Sequence, residues 1–123
     1  LQTIYGLAEN IESIQKEHEI ILFEGCKSVL KADSWGICNT GASLTSHLNP
    51  DQMKILVKLG CNMVFALDND VNVLEDHNIA RLRNYVGVSY LFDFRKMLRE
   101  KDAPVDQGEE TFRKLYQERR NYR

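Results

Sequence analysis

The order of apolar and polar positions divides the chain into short strands and amphipathic helices. Residues 20–23 and 63–67 are unbroken apolar runs that are bounded by polar or charged residues. Runs this short, without alternation, are typical of strands covered on both faces, as in parallel sheets. Residues 37–38 and 86–92 predict two further strands. The sequence therefore predicts a sheet of four strands.

Helical periodicity fills the segments between these strands. Leu7, Ile11 and Ile14 recur on one face of a first helix. Asn49, directly before a proline, favours a helix start, and Gly60 favours its end. Further helices are predicted over residues 27–32, 72–85, 93–100 and 109–120, and a polar loop over residues 39–46. Strands that alternate with helices indicate an α/β protein with a mostly parallel sheet.

The composition fits one compact domain, which we place over residues 1–123. No stretch approaches the roughly 20 apolar residues that a membrane span requires, so we expect a soluble, cytoplasmic protein. Three cysteines without a C-x-x-C pair favour reduced thiols over a disulfide framework or a zinc site. The formal net charge is −2. Any polynucleotide would then be held by local basic patches or by segments outside this sequence.

Acidic residues directly follow the two longest apolar runs. Glu24 comes after residues 20–23, and Asp68 and Asp70 come after residues 63–67. Sites in open parallel sheets form beyond the carboxyl ends of the strands, and residues i and i+2 project the same way. Three clustered carboxylates repel one another, and a shared cation would stabilise them. Because carboxylates offer only oxygen ligands, the expected cation is Mg²⁺ or Mn²⁺. Acids at strand ends also cap helices or face solvent, and spacing alone leaves both interpretations open.

Two other groups of residues are candidates for binding phosphate or nucleic acid. The loop with Thr40, Gly41 and Ser43 offers backbone N–H groups and hydroxyls to a phosphate. It lacks the lysine of a P-loop, however, and on pattern alone a simple turn explains it better. Basic residues at the C-terminal end would contact nucleic acid or, more commonly for such a pattern, form a solvated helix face. They are Arg113, Lys114, Arg119, Arg120 and Arg123.

Two segments resemble the signature motifs of the Toprim superfamily, which are a strand ending in Glu-Gly and a strand ending in Asp-x-Asp. They are Ile-Leu-Phe-Glu-Gly at residues 21–25 and Ala-Leu-Asp-Asn-Asp at residues 66–70. Residues 4–7, 40–45 and 101–108 resemble, in order, three further segments of DnaG-type primases. These are the Leu-Tyr-Gly-Leu segment, the loop after the second strand and a closing K-D-x-P-x-D-x-G motif. The chain is similar to the Toprim catalytic domain of a bacterial or phage DNA primase.

The resemblance implies a Rossmann-like sheet of four parallel strands with divalent metals held by Glu24, Asp68 and Asp70. Acids of the closing motif support metal binding in the family, which here nominates Asp102 and, after it, Asp106. One position departs from the family, because serine stands four residues after the motif glutamate where DnaG-type primases commonly carry aspartate. The family's zinc-binding module and basic segment are not in this sequence, so we expect a fragment of a longer primase.

The implied function is nucleotidyl transfer, in which the full protein makes RNA primers on single-stranded DNA from nucleoside triphosphates. Asp68 and Asp70 would be the main metal ligands, Glu24 a third ligand or a proton-transfer group, and Asp102 an outer ligand. Expected partners are the zinc-binding and basic segments of the full-length primase and a replicative helicase. No membrane partner is expected. A stand-alone Toprim nuclease with the same acids is the alternative. The retained acids argue against a non-catalytic module.

Overall fold

The computed structural model describes residues 3–122 and confirms an α/β fold with a mostly parallel sheet. The strands are β1 Glu19–Phe23, β2 Thr40–Ala42, β3 Asn62–Ala66, β4 Val88–Tyr90 and β5 Arg120–Asn121. They lie in the order β2-β1-β3-β4-β5. The first four strands are parallel, and β5 pairs antiparallel with β4. The sequence predicted four strands, so β5 is an unpredicted addition at one edge.

Helices cover both faces of the sheet. They are α1 Leu7–Glu17, α2 Cys26–Ser34, α3 Pro50–Leu59, α4 His77–Leu82 and α5 Glu109–Gln117. A single 3₁₀ turn, Val73–Glu75, precedes α4. Within residues 3–122, no helix has the length and apolar character that crossing a membrane would require.

Burial on both faces explains the unbroken apolar run of β1. Ile20 and Leu22 pack on one face in a cluster with residues of α1, α3 and α4. Ile21 and Phe23 pack on the other face with residues of α2 and α5. All four side chains are at most 3% exposed. Each contributes roughly 1.5–3 kcal/mol on burial, so the strand that leads into Glu24 is firmly held.

The start of α3 confirms the predicted helix start and joins distant segments. Asn49 Oδ1 accepts from the Gln52 N–H at 2.8 Å, and Gln52 Oε1 accepts from the Asn49 N–H at 3.0 Å. Gly60, with φ 64°, ends the helix as predicted. The buried Gln52 side chain also donates to the carbonyls of Thr3 and Ser43, at 3.0 and 2.7 Å. The segment after β2 is therefore fixed through its backbone.

The second strand is Thr40–Ala42, so the strand predicted at residues 37–38 and the loop predicted at this place are both wrong. Tyr5 forms an antiparallel bridge with the last residue of β2 through hydrogen bonds of 2.8 and 3.0 Å. A Cβ atom on Gly41 would lie 2.9 Å from Ile4 Cγ2. Because the N-terminal segment crosses β2 so closely, small residues are required there, and their polarity concealed a buried strand.

Two predicted helices differ because aspartate side chains bind backbone N–H groups. The helix predicted over residues 72–85 is divided at Asp76, whose carboxylate caps α4 with bonds of 2.8 and 3.2 Å. The helix predicted over residues 93–100 is wrong. There the Asp93 carboxylate accepts from N–H groups four and five residues further on, at 2.9 and 2.8 Å, and Lys96 has φ 57°. Such bonds compete with the helical pattern.

Candidate functional site

The paired strands β1 and β3 bring Glu24 and Asp68 to the same edge of the sheet. The two strands are direct parallel neighbours, with Phe23 opposite Ala66. Glu24 follows β1 immediately, and Asp68 follows two residues after the end of β3. Glu24 and Asp68 are partly buried, whereas Asp70 is exposed. Glu24 and Asp68 can share a site only if these strands are neighbours, and the observed pairing meets that condition.

Glu24 carries a buried carboxylate oxygen that has no hydrogen-bond partner. Its Oε1 is the only buried side-chain oxygen or nitrogen in this condition within residues 3–122. The Glu24 carbonyl accepts from the Leu44 N–H at 2.7 Å, which fixes the backbone at this residue. An unsatisfied buried polar atom costs about 1–3 kcal/mol, and more when it is charged. This oxygen is therefore well suited to a cation.

Asp68 lies in a field of like charges. Burial, and then the charges of Glu24, Asp70 and Asp106, raise the pKa of Asp68 from 3.8 to about 6. Neighbouring carboxylates act in this direction because they disfavour the ionised form. Glu24 and Asp70 therefore lie close enough to Asp68 to act on it, as the sequence argument expected. Asp106, which the resemblance nominated only after Asp102, contributes a fourth acid.

A divalent cation would relieve the repulsion among these acids. In their observed conformations, residues 3–122 include no group of three or more His, Cys, Asp or Glu side chains placed to hold a metal ion. Carboxylates that repel one another stay apart, and a cation between them would draw them together. Their oxygen-only chemistry suits Mg²⁺ or Mn²⁺. The unbonded Glu24 Oε1 and the raised pKa of Asp68 fit such an ion, and the ligand set stays a prediction.

Asn69 connects the closing loop, residues 101–108, to residues 68–70 after β3, which we call the acidic turn. The Asn69 backbone N–H donates to the Asp102 carbonyl at 2.8 Å, and its side chain donates to the Arg99 carbonyl at 3.0 Å. Asp102 therefore lies at the sheet edge that also carries the acids after β3. Asn69 was counted in the sequence only as the variable position of the Asp-x-Asp motif. Its amide side chain was the one available sign of this role.

The carboxylate of Asp102 accepts hydrogen bonds from within the closing loop and from the residues just before it. Its Oδ2 accepts from the Gln107 side chain at 2.9 Å and from the Arg99 N–H at 2.8 Å. These bonds, the one to Gln107 first, lower the pKa of Asp102. The charges that raise the pKa of Asp68 include Asp106 and do not include Asp102. The structure thus favours Asp106 over Asp102, and a metal-binding role for Asp102 stays a prediction.

A cleft of about 420 Å³ opens beside the acids that follow β3. Asp68 and Asp70 line it together with Tyr90, Phe92 and Arg120, among other residues. The lining combines carboxylates, aromatic rings and a guanidinium. The site can therefore attract a cation and an anion next to each other.

The predicted phosphate loop has a structural role in this fold. Thr40 and Ser43 are at most 3% exposed. The Thr40 hydroxyl oxygen accepts from the Asn10 side chain at 3.1 Å, and the Ser43 hydroxyl donates to the Thr45 carbonyl at 2.7 Å. Gly41 is buried in β2. Nucleotide binding by Thr40, Gly41 and Ser43 stays a prediction, and these contacts do not favour it.

The basic residues near the C-terminus have different surroundings. Arg113 donates to the Glu109 carboxylate at 2.8 Å, one helical turn away. Arg119 stacks over a tyrosine ring at 4.2 Å. Arg120 lines the cleft. Arg123 lies outside the described residues. Among the members of this group that the structure describes, Arg120 lines the cleft that also holds Asp68 and Asp70.

Curated proteins that are similar to the chain include a prophage protein and a DNA primase, and no protein-family model matches it. The chain is 29% identical over 136 aligned positions to the SPbeta prophage-derived uncharacterized protein YorJ of Bacillus subtilis (strain 168), covering 94% of this chain and 36% of YorJ. It is 33% identical over 67 residues to the DNA primase of Staphylococcus aureus (strain COL), covering 54% of this chain and 11% of the primase. The chain therefore spans about a third of the first relative and about a tenth of the second.

Solved structures of primases share the fold. A DNA primase domain from Pseudomonas aeruginosa superposes with a TM-score of 0.73 at 26% identity, covering 96% of this chain and 39% of that chain. The zinc-binding and RNA polymerase domains of the Aquifex aeolicus primase and two DnaG catalytic domain structures share the fold as well, at 18–24% identity. The chain therefore has the mostly parallel α/β fold of these primase domains, which matches the Toprim-like fold expected from the sequence. Within that class, fold and sequence confirm the resemblance to the catalytic domain of DnaG-type primases.

Proposed function

We propose that this chain is the catalytic domain of a DNA primase and performs metal-dependent nucleotidyl transfer for RNA primer synthesis on single-stranded DNA. One observation carries the proposal: the charges of Glu24, Asp70 and Asp106 act on the partly buried Asp68, and Glu24 has an unbonded buried oxygen, within the fold of primase catalytic domains. Such a cluster is costly for the fold alone. Ionisable groups perturbed by burial and by specific neighbours concentrate at functional sites.

The acids have separate roles in the proposed reaction, in which a 3′-hydroxyl attacks the α-phosphate of a nucleoside triphosphate and expels pyrophosphate. Asp68 and Asp70 are the main ligands of Mg²⁺ or Mn²⁺. Glu24 is a third ligand or accepts the proton of the attacking hydroxyl, and Asp106, with Asp102, supports the centre from the closing loop. The bound metal would neutralise charge on the phosphoryl oxygens. With a pKa of about 6, Asp68 is mostly ionised at neutral pH and able to bind the ion.

The proposal extends to a single-stranded DNA template and to nucleoside triphosphates. It is supported by a matching structure of a DnaG primase catalytic domain bound to ssDNA, with a TM-score of 0.71 and 20% identity. The resemblance to DnaG-type primases extends the proposal to a full-length protein with zinc-binding and basic segments that contacts a replicative helicase. With a net charge of −2, this chain attracts a polyanion weakly, and the other segments supply most of the template affinity.

Calorimetric titration of Mn²⁺ tests the metal centre. The double variant Asp68→Asn with Asp70→Asn should abolish binding because it removes the main ligands. A matched control, Glu17→Gln with Asp33→Asn, removes two exposed acids at the ends of α1 and α2 and should bind like the wild type. Unchanged Mn²⁺ affinity in the first double variant would show that the site is misassigned.

Product analysis with the full-length protein separates a primase from a nuclease. The wild type should extend primers on single-stranded DNA when Mg²⁺ and nucleoside triphosphates are present, and the Asp68→Asn, Asp70→Asn variant should not. Metal-dependent cleavage of the DNA without primer synthesis would overturn the proposal in favour of a Toprim nuclease.

A further inference from the structure

An exposed cluster of arginine and phenylalanine side chains lies where β4 ends and β5 begins. It adjoins the cleft lined by Asp68 and Asp70, which we call the acidic cleft. Phe92 and Phe94 are 48% and 47% exposed. The Arg120 guanidinium lies 4.4 Å from the centre of the Phe92 ring and 5.7 Å from that of Phe94. The Arg95 guanidinium lies 5.0 Å from the centre of the Phe94 ring. We call these four residues the arginine–phenylalanine shelf.

Contacts on both sides hold the shelf in place. Arg95 makes a two-pronged bond to Glu118 beyond the end of α5, with Nε 2.9 and 3.0 Å and Nη2 2.6 Å from its carboxylate oxygens. Arg120 belongs to β5 and pairs with Tyr90 of β4. Asp93, between the two rings in sequence, has its carboxylate bonded to two backbone N–H groups. The rings are therefore exposed on a supported surface.

Only part of the shelf's positive charge is compensated. Glu118 neutralises Arg95, at 2.6 Å. Arg120 forms no ion pair with any acid in the part of the chain that the structure describes. Its guanidinium is held by ring faces, and cation–π contacts leave its N–H edge able to donate. Arg120 is thus a positioned cation with unused donors.

The shelf adjoins the proposed reaction centre. Phe92 and Arg120 line the same cleft of about 420 Å³ as Asp68 and Asp70. Single-stranded nucleic acid combines an anionic backbone with flat bases that stack on aromatic rings and on guanidinium planes. A surface with two half-exposed rings and an unpaired arginine matches both of these features. A purely apolar partner would gain nothing from Arg120.

We propose that the arginine–phenylalanine shelf binds a single-stranded nucleic acid at the rim of the acidic cleft. Arg120 contacts a phosphate, and bases stack on the exposed surfaces of Phe92 and Phe94. This inference rests on the proposed function and adds to it the place where a nucleic-acid strand would pass the acidic centre. Binding to the shelf requires neither a metal nor turnover, so it is measured separately.

Fluorescence anisotropy with a labelled oligothymidylate at low salt tests the charge. Arg120→Gln should weaken binding about fivefold or more and reduce the slope of log affinity against log salt by about 0.7, the value for one single-strand phosphate contact. Arg113→Gln is the matched control. It removes an arginine that is paired with Glu109 on α5, away from the cleft, and should change affinity little. Equal losses in the two variants would overturn a specific role for Arg120.

Base stacking is tested with an oligonucleotide that contains 2-aminopurine, whose fluorescence falls when the base stacks. Phe92→Leu with Phe94→Leu keeps apolar surface but removes the rings, and it should abolish the quenching and weaken binding at least fivefold. An abasic strand of equal length should bind the variant and the wild type equally. Unchanged quenching in the variant would overturn the proposal, because the bases would then stack on something other than Phe92 and Phe94.

The Asp68→Asn, Asp70→Asn variant separates this inference from the proposed function. It should lose Mn²⁺ binding yet bind the strand as well as the wild type or better, because two negative charges are removed beside the shelf. Strand binding that is insensitive to shelf substitutions would disprove the shelf alone. Urea unfolding of every variant checks that each remains folded. This is expected for the shelf and control variants because their side chains are exposed, and for Asp68→Asn because asparagine has nearly the shape of aspartate.

Discussion

Asp68→Asn should stabilise the metal-free protein at neutral pH, although it removes a residue proposed to be essential. Burial first, and then Glu24, Asp70 and Asp106, raise the pKa of Asp68 from 3.8 to about 6. The ionised carboxylate is therefore less favourable in the folded chain than in the unfolded chain. Asparagine has nearly the same shape and carries no charge, so it removes this cost without opening a cavity.

The magnitude follows from the two pKa values of Asp68. Below about pH 4 the carboxyl is protonated in both states, so it imposes no penalty on the fold. Between 3.8 and about 6 the unfolded chain ionises first, and the penalty grows to its full value above that range. At 1.36 kcal/mol per pH unit the upper limit is about 3 kcal/mol. Asp68 is partly exposed, and solvent screening reduces the expected gain to about 1–2 kcal/mol.

Urea unfolding in the presence of a chelator measures this gain. At about pH 7.5 the Asp68→Asn variant should be more stable than the wild type by about 1–2 kcal/mol, and at about pH 4 the two should agree. Added Mn²⁺ should stabilise the wild type more than the variant, since an ion that binds only the folded state adds to its stability. Glu17→Gln, an exposed acid elsewhere, is the control. A variant less stable than the wild type at neutral pH would refute the repulsion argument.

Two further predictions concern other parts of the fold. Asp76 is 7% exposed and accepts from three backbone N–H groups at 2.8–3.2 Å. Asp76→Ala should therefore cost about 2–4 kcal/mol in urea unfolding, and a cost no larger than that of the exposed Asp51→Ala would contradict it. Burial and the 2.6 Å hydrogen bond to Glu19 raise the pKa of Tyr116 to about 12. Ultraviolet titration should show a late-ionising tyrosine that disappears in Tyr116→Phe and persists in Tyr85→Phe; its persistence in Tyr116→Phe would disprove the assignment.

Local signals in the sequence were sufficient for the parts of the fold that local chemistry determines. The apolar runs that became β1 and β3 are buried on both faces, and a strand of this kind leaves a run that is visible without any partner. The capping box at Asn49 and the stop at Gly60 are likewise set by residues within one turn of each helix end. The positions of Glu24 and Asp68 followed from the two strands.

Features that depend on distant segments could not be predicted in this way. β2 is hidden in the polar-looking Thr40–Ala42 because its environment is created by the N-terminal segment that crosses it. β5 has two residues and exists through pairing with β4. The environment of Arg120 depends on that pairing and on the turn after β4, where a helix was predicted. Neither β2 nor β5 has a periodic apolar pattern of its own.

In this chain an acid of the closing loop, Asp106, acts on Asp68, whereas α2, the helix after Glu24, has no acid at position 28. Position 28, where the resembling primases commonly have aspartate, is a serine that is 4% exposed within α2. Asp106 of the closing loop is instead among the acids whose charges raise the pKa of Asp68, after burial, Glu24 and Asp70. The Asp106 carboxylate is held by the Ala103 N–H at 2.9 Å, and the loop itself is held to the acidic turn by Asn69. The position of Asp106 relative to Asp68 is therefore set by loop hydrogen bonds rather than by the sheet. For this reason the pattern of strands in the sequence did not reveal that Asp106 lies near Asp68.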